Sequence, residues 1–182
     1  MKEYLEIFFT LTLDLNILLC PDCQKQSLAP HGQYWRGLRL EDEKHRLPVL
    51  RLRCRHCQKT HAVLPDFVAP YRHHAMPVIE AAVLAVVENG TSVEEVAGAG
   101  QDETTVKRWV KTYRYVAPAV TGVLASLLLR LKNKVLSLTQ LSGSLWQQIK
   151  RFLESLGDIA GSSSWGKINI WLTSDDQTHV WL

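Results

Sequence analysis

Apolar and polar residues follow two periods along this chain. Alternation with a period of two runs through Thr10, Leu11, Thr12, Leu13, Asp14 and Leu15, which predicts a half-buried strand ahead of the first cysteines. Gln33 to Leu40 and Leu47 to Arg53 also read as strands. In the second, Leu50, Leu52 and Cys54 alternate with Arg51, Arg53 and Arg55, and a charged tip at Glu41 to Lys44 turns the pair into a hairpin. From Pro77 the period becomes helical. Val78, Ile79, Ala82, Val83, Val86 and Val87 recur at three-to-four spacing as far as the stop signal Asn89-Gly90. Ser92 and Glu95 form a capping box for a short helix, Val93 to Ala97, that closes at Gly98 to Gly100. Asp102 caps a third helix, with Val106, Trp109, Val110 and Tyr113 inward and Thr104, Lys107, Arg108 and Lys111 outward.

Beyond this helix, Val120, Val123, Leu124, Leu127, Leu128, Leu131, Val135 and Leu138 share one helical face. Leu145, Ile149, Phe152, Leu153 and Leu156 share another, ending at Gly157, so a helical hairpin is expected. Its apolar stripe needs cover from the third helix region, from the N-terminal strand or from a second copy of the chain, which makes a homodimer one expectation. Gly161 to Ser164 read as a short joint, and Ile168, Ile170 and Leu172 alternate as in a late strand. Internal repeats and low-complexity tracts are not expected. The pattern adds up to an α+β chain in three parts: a four-cysteine zinc ribbon with an N-terminal strand (1–70), a three-helix helix-turn-helix (71–116), and a helical hairpin with a C-terminal strand (117–182).

Composition narrows the class without naming it. The 182 residues are 46% hydrophobic and 21% charged, ordinary globular usage that argues against disorder. The net charge of +3 is too small to name a polyanionic partner, but its distribution is uneven: residues 20–60 sum to +5, 61–100 to −4 and 101–134 to +5. Glu3, Glu6 and Asp14 interrupt the apolar N-terminus, and no unbroken apolar run reaches about 18 residues, so neither a signal peptide nor a membrane span is expected. Four cysteines in two close pairs suit a reducing compartment, and the expected location is the cytoplasm, at the nucleoid.

The cysteines carry the sharpest chemistry. Cys20-Pro-Asp-Cys23 and Cys54-Arg-His-Cys57 are two C-x2-C turns separated by thirty residues. Each turn can aim two thiolates at one cation, and two turns complete the tetrahedral sulfur shell of structural zinc, with no position left for an activated water. Disulfides, a redox pair or an iron–sulfur cluster fit the spacing and context less well. His56 and His61 flank the second pair and could replace a ligand, although surface or phosphate contact is their expected role.

The basic runs point to a nucleic acid. Arg51, Arg53 and Arg55 recur along one strand face at about 6–7 Å, close to phosphate spacing, and suggest a basic strand edge. On the third helix Thr104 and Thr105 lie near the N-terminus, followed by Lys107, Arg108, Lys111 and Arg114, and no acidic residue intervenes between Glu103 and Glu154. A helix so arranged can enter the major groove of double-stranded DNA, with its first residues at base edges and its cations on phosphates or guanine.

The segments CPDC, HGQYWRG, LRCRHCQKTHAVLPDF and SVEEVAGAGQDETTVKRWVK together resemble the small zinc-ribbon plus helix-turn-helix proteins of bacterial mobile elements, including DNA-binding parts of transposases; many relatives are described only as domains of unknown function. The resemblance spans about residues 18–115. It implies sequence-specific DNA binding as an accessory or regulatory factor, alongside a transposase or recombinase partner, or as the targeting portion of such an enzyme; a zinc-ribbon adaptor for protein partners is the reading in another class. No catalytic residues are expected. Only Glu154, Asp158, Asp175 and Asp176 follow the third helix as acids, without the α/β framework that metal-dependent strand transfer uses, and no Walker loop or nucleophile elbow is present.

Overall fold

A computed structural model of the chain describes residues 15, 18–40, 43–98, 100–132, 142–156 and 165. It divides into two compact units, residues 1–65 and 66–182. The expected strand at 10–15 apart from Leu15, the strand at 168–172, the joint at 161–164 and the apolar positions Val135 and Leu138 lie outside the described residues.

The first unit is a three-stranded antiparallel sheet in the order β1-β2-β3, formed by β1 (Leu28–Leu40), β2 (Glu43–Cys54) and β3 (Thr60–Val63). Leu40 pairs with Glu43, so the hairpin closes more tightly than the expected tip at Glu41 to Lys44. Leu38, Leu47, Val49 and Leu52 are buried; buried Leu52 and Cys54 alternate with exposed Arg51 and Arg53 at period two, whereas Leu47 and Val49 share the arginines' face and are covered further along it. β3 was not foreseen. It pairs Leu50 with Val63, Arg51 with Ala62, Leu52 with His61 and Arg53 with Thr60. β2 is therefore the central strand, and the arginines line a sheet face rather than the expected strand edge. Arg55 lies just past the end of β2, in the second cysteine turn, and is exposed.

The β1–β2 register is broken once. Pro30 pairs with Leu52 and Gln33 with Leu50, so His31 and Gly32 together stand opposite Arg51. Gly32 has φ +84°, the left-handed conformation that a bulge of this kind assigns to glycine.

The second unit contains α1 (Met76–Val87), α2 (Val93–Ala97), α3 (Glu103–Lys132) and α4 (Leu145–Leu156). Its starts follow the caps read from the sequence. Pro77 occupies the first turn of α1, Ser92 Oγ accepts a hydrogen bond from Glu95 N at 3.1 Å, and Asp102 Oδ1 accepts one from Thr105 N at 2.8 Å. Gly90 takes φ +72° after α1, the stop expected there. A single core joins all of α1, α3 and α4: Met76, Ile79 and Val83 pack with Val106, Trp109, Val110, Tyr113, Val120, Leu124 and Leu128, and with Trp146, Ile149 and Phe152. Trp165 closes this core. Its ring stacks on Tyr113 at 5.6 Å between centroids, and its backbone N–H donates to Glu80 Oε2 at 3.0 Å.

One difference concerns α3. The helix expected to stop before residue 117 and the helical face expected from Val120 are one unbroken helix of 30 residues. Pro118 lies inside it without an N–H for the carbonyl of Arg114; both residues are on the exposed side of the helix, and Thr121 Oγ donates to Ala117 O at 2.8 Å beside them. Glu103–Arg130 is long and apolar enough to cross a membrane by length and composition, but its apolar positions recur at helical period toward the core of the unit. Val120, Leu124, Leu127 and Leu128, the face that called for a covering partner, are buried within one copy of the chain.

Candidate metal centre and basic surfaces

Two turns of identical pattern build the centre: Cys20-Pro-Asp-Cys23-Gln24-Lys25 and Cys54-Arg-His-Cys57-Gln58-Lys59. This is a short internal repeat that the period of the chain does not reveal. In each, the glutamine N–H donates to the carbonyl of the first cysteine at 2.9 Å, and the first cysteine N–H donates to the lysine carbonyl, at 3.0 Å for Cys20 and 2.9 Å for Cys54. Gln24 and Gln58 have φ of 55° and 65°. This left-handed step folds the chain back after the turn, and each glutamine steadies it by donating from Nε2 to Pro21 O or Arg55 O.

The fold brings the two turns together at one end of the sheet. All four sulfurs lie within 4.8 Å of one another, with Cys20–Cys57 and Cys23–Cys54 separations of 3.6 Å, and none is in a disulfide. A tetrahedral ion with metal–sulfur bonds of about 2.3 Å sets its sulfurs about 3.8 Å apart, so the residues present fit a four-thiolate metal ion. The predicted ligands Cys20, Cys23, Cys54 and Cys57 are thus assembled as a group that could hold a metal.

The surroundings prepare these sulfurs unequally. Ser27 Oγ lies 3.0 Å from Cys54 Sγ, and with the backbone N–H of Cys57 at 3.5 Å it holds the Cys54 thiol down at about 5. The Lys59 backbone acts in the same direction on Cys57, but desolvation and the neighbouring thiols outweigh it and push Cys57 up to about 12. Desolvation chiefly raises Cys23. Lys59 Nζ donates to Asp22 Oδ1 at 2.6 Å, tying one turn to the other and holding the Asp22 carboxyl below its ordinary range. His61 departs from its expected surface role: its Nε2 is 3.3 Å from Cys20 Sγ and 3.6 Å from Asp22 Oδ2. His56 is exposed. His61 is the flanking histidine the sequence offers as a substitute ligand; the contacts of Ser27, Asp22 and Lys59 with the cluster depend on the two turns meeting in space, which spacing along the chain does not record.

The predicted nucleic-acid residues fall into two groups, one in each unit. Arg51, Arg53 and Arg55 are exposed in the first unit. In the second, Thr104, Lys107, Arg108, Lys111 and Arg114 are exposed on α3, opposite buried Val106, Trp109, Val110 and Tyr113. Thr105 is half-buried, with its backbone and hydroxyl engaged by Asp102. Lys107 is ion-paired with Glu103 one turn earlier, which leaves Arg108, Lys111 and Arg114 as the stronger cations of the face. Lys107, Lys111 and Arg114 also border a cleft of about 260 Å³ with Val86, Val93 and Val110. Arg72 adds to this surface unforeseen: burial, and then the charge of nearby Arg108, lower its guanidinium below the ordinary range.

Taken by its architecture, this is an α+β protein with a three-stranded antiparallel sheet, a four-cysteine cluster and a helical unit. Residues 20–109 match the model of a family described as a domain of unknown function, DUF6431, a span from the first cysteine to Trp109 in α3. No curated protein and no solved structure matches the chain significantly.

Proposed function

We propose that this chain is a zinc-stabilised, sequence-specific DNA-binding protein without catalytic chemistry of its own, acting as an accessory or regulatory factor of a mobile element. The observation that carries the reading is the division of α3: Val106, Trp109, Val110 and Tyr113 are buried in the core, and on the opposite face Arg108, Lys111 and Arg114 are exposed behind the Asp102 cap. With α1 and the five-residue α2 ahead of it, α3 is in the chain position of the recognition helix of a helix-turn-helix. The mobile-element role rests on the resemblance of residues 18–115, and zinc is favoured for the cluster because four thiolates at tetrahedral spacing suit a redox-inert structural ion. The cluster then acts as a zinc ribbon that fixes the geometry of the first unit.

Salt-titrated binding to a duplex selected from a random library, and to a scrambled duplex, tests the reading. Arg108→Ala is expected to weaken the selected site by about 1–3 kcal/mol and relax one base preference, as loss of a guanine contact does. Lys111→Ala is expected to weaken both duplexes alike and lower the salt slope by about one. Folded variants that bind like the parent would remove α3 as the reading element.

A further inference from the structure

We infer that the sheet of the first unit holds a pocket for one unpaired DNA base, framed by Tyr34, Arg51 and Ala62. The inference rests on the DNA-binding reading above but concerns a different unit and a different form of DNA.

Strand register puts these residues on one face. Tyr34 of β1 stands opposite Val49 of β2, one pleat from Arg51, and Arg51 stands opposite Ala62 of β3. The positions that face Arg51 across the sheet leave the space beside it thinly filled. On β3 the neighbour is only a methyl group, and on β1 the register slips so that Gly32 occupies the bulge, with nothing within 4 Å of where a Cβ would stand. The result is an open pocket of about 350 Å³ lined by Tyr34, Arg51, Thr60, His61 and Ala62. Tyr34 is 37% exposed, large and aromatic in a position where burial would be the ordinary outcome.

Each component matches one part of a nucleotide. The Tyr34 ring offers a stacking surface, Arg51 a cation for the adjoining phosphate, and Thr60 a hydroxyl for a base edge. Arg53 and Arg55 continue the positive charge along the strand direction, in a segment that carries +5. This charge complements a polyanion rather than an apolar peptide. A base in a duplex presents only its edge to a protein, so stacking on Tyr34 requires a base already out of its pair, as in a single strand, a frayed end or a flipped position. Bulges recur beside binding sites, where they re-aim a side chain, and here the bulge at His31 and Gly32 stands opposite Arg51, with open space at the Gly32 Cβ position.

The experiment uses the full metal-loaded chain and a fluorescent oligothymidylate, with the selected duplex as control. Tyr34→Ala is expected to weaken the single strand about ten-fold or more and Tyr34→Phe to preserve it, since stacking needs the ring and not the hydroxyl. Ala62→Leu, which fills the pocket while keeping Tyr34, is expected to weaken it to a similar degree. Duplex affinity and metal content should stay at parent values in all three. An oligonucleotide carrying 5-iodouracil is expected to photocross-link to Tyr34 in the parent, mapped by peptide mass spectrometry, a readout that needs no variant to fold. Unchanged single-strand affinity in both Tyr34→Ala and Ala62→Leu, or cross-links that avoid Tyr34, would overturn the pocket while Arg108-dependent duplex binding left the broader reading standing. Oligouridylate bound more tightly than oligothymidylate would overturn the assignment to DNA. Failure of the parent to bind either form of DNA would sink both.

Discussion

Tyr113 shows how much one atom can matter inside a core. Its ring stacks on Trp165, but its hydroxyl is buried with no hydrogen-bond partner among the described residues, and burial, with the Glu88 charge, pushes its pKa to about 12 from an ordinary 10.0. The folded state thus favours the neutral phenol. Because the folded pKa lies above the unfolded one, this residue's contribution is intact below pH 10 and declines as pH rises from 10.0 toward 12. Tyr113→Phe should raise stability at neutral pH by about 1 kcal/mol, by removing an unpaired buried polar group, and flatten the alkaline decline; urea titrations at pH 7 and pH 11 measure both. At the metal cluster the same reasoning applies to sulfur. Thiols held protonated must release protons to bind an ion, so occupancy should fall as the solution is acidified. Cys54→Ser is expected to remove most of the metal found by elemental analysis, because it deletes the one sulfur that Ser27 and the backbone already stabilise as thiolate.

Among the elements, those with local signals were legible in the sequence. The three caps at Pro77, Ser92 and Asp102 each act within a few residues of themselves, and α1, α2 and the start of α3 fall where they were read. Long-range features were hidden. β3 is only four residues long and lies directly after a cysteine turn, so its identity as a strand depends on pairing with β2 rather than on its own pattern. The bulge at Gly32 is a mismatch between two strands, which neither strand alone records. The unity of α3 was obscured by Pro118, which lacks the N–H that would bond the Arg114 carbonyl and so reads as a helix stop, although the packing of the residues on either side carries the helix past it. The cysteine ligands were legible from spacing, and His61 as a neighbour of the second pair; the supports Ser27, Asp22 and Lys59 were not. Within α3, Trp109→Ala is expected to cost about 3–5 kcal/mol of folding stability, since the ring is 3% exposed and packs edge-on to His74 at 4.8 Å. Circular dichroism melts against Arg108→Ala, which should melt like the parent, separate packing from surface chemistry on the one helix.

At the scale of the whole chain, the two units rely on different sources of stability. The core cluster of α1, α3, α4 and Trp165 lies entirely within residues 66–182, while the cysteines and their supports lie entirely within residues 1–65. A small sheet of three strands buries little apolar area, so metal affinity is expected to supply much of its folding free energy. Chelation should therefore abolish the sheet signal and leave the helical unit cooperative. Hydrogen exchange read by mass spectrometry tests this directly: peptides from 28–63 should lose protection on chelator addition, and peptides from 103–128 should keep it.

The unbroken run of α3 also sets a length. Thirty residues at about 1.5 Å each make a rod of roughly 45 Å, whereas the major groove is about 12 Å wide and holds only the first few turns of an inserted helix. With Arg108 and Lys111 seated in a groove, the stretch from Val120 onward would stand clear of the duplex, braced along its side by α4. The helix would then act as a mast, and its far end at Lys132 would hold a fixed height and bearing above the DNA axis, set by the position of the bound site and turning by about 100° for every residue added to or removed from the stretch after Arg114.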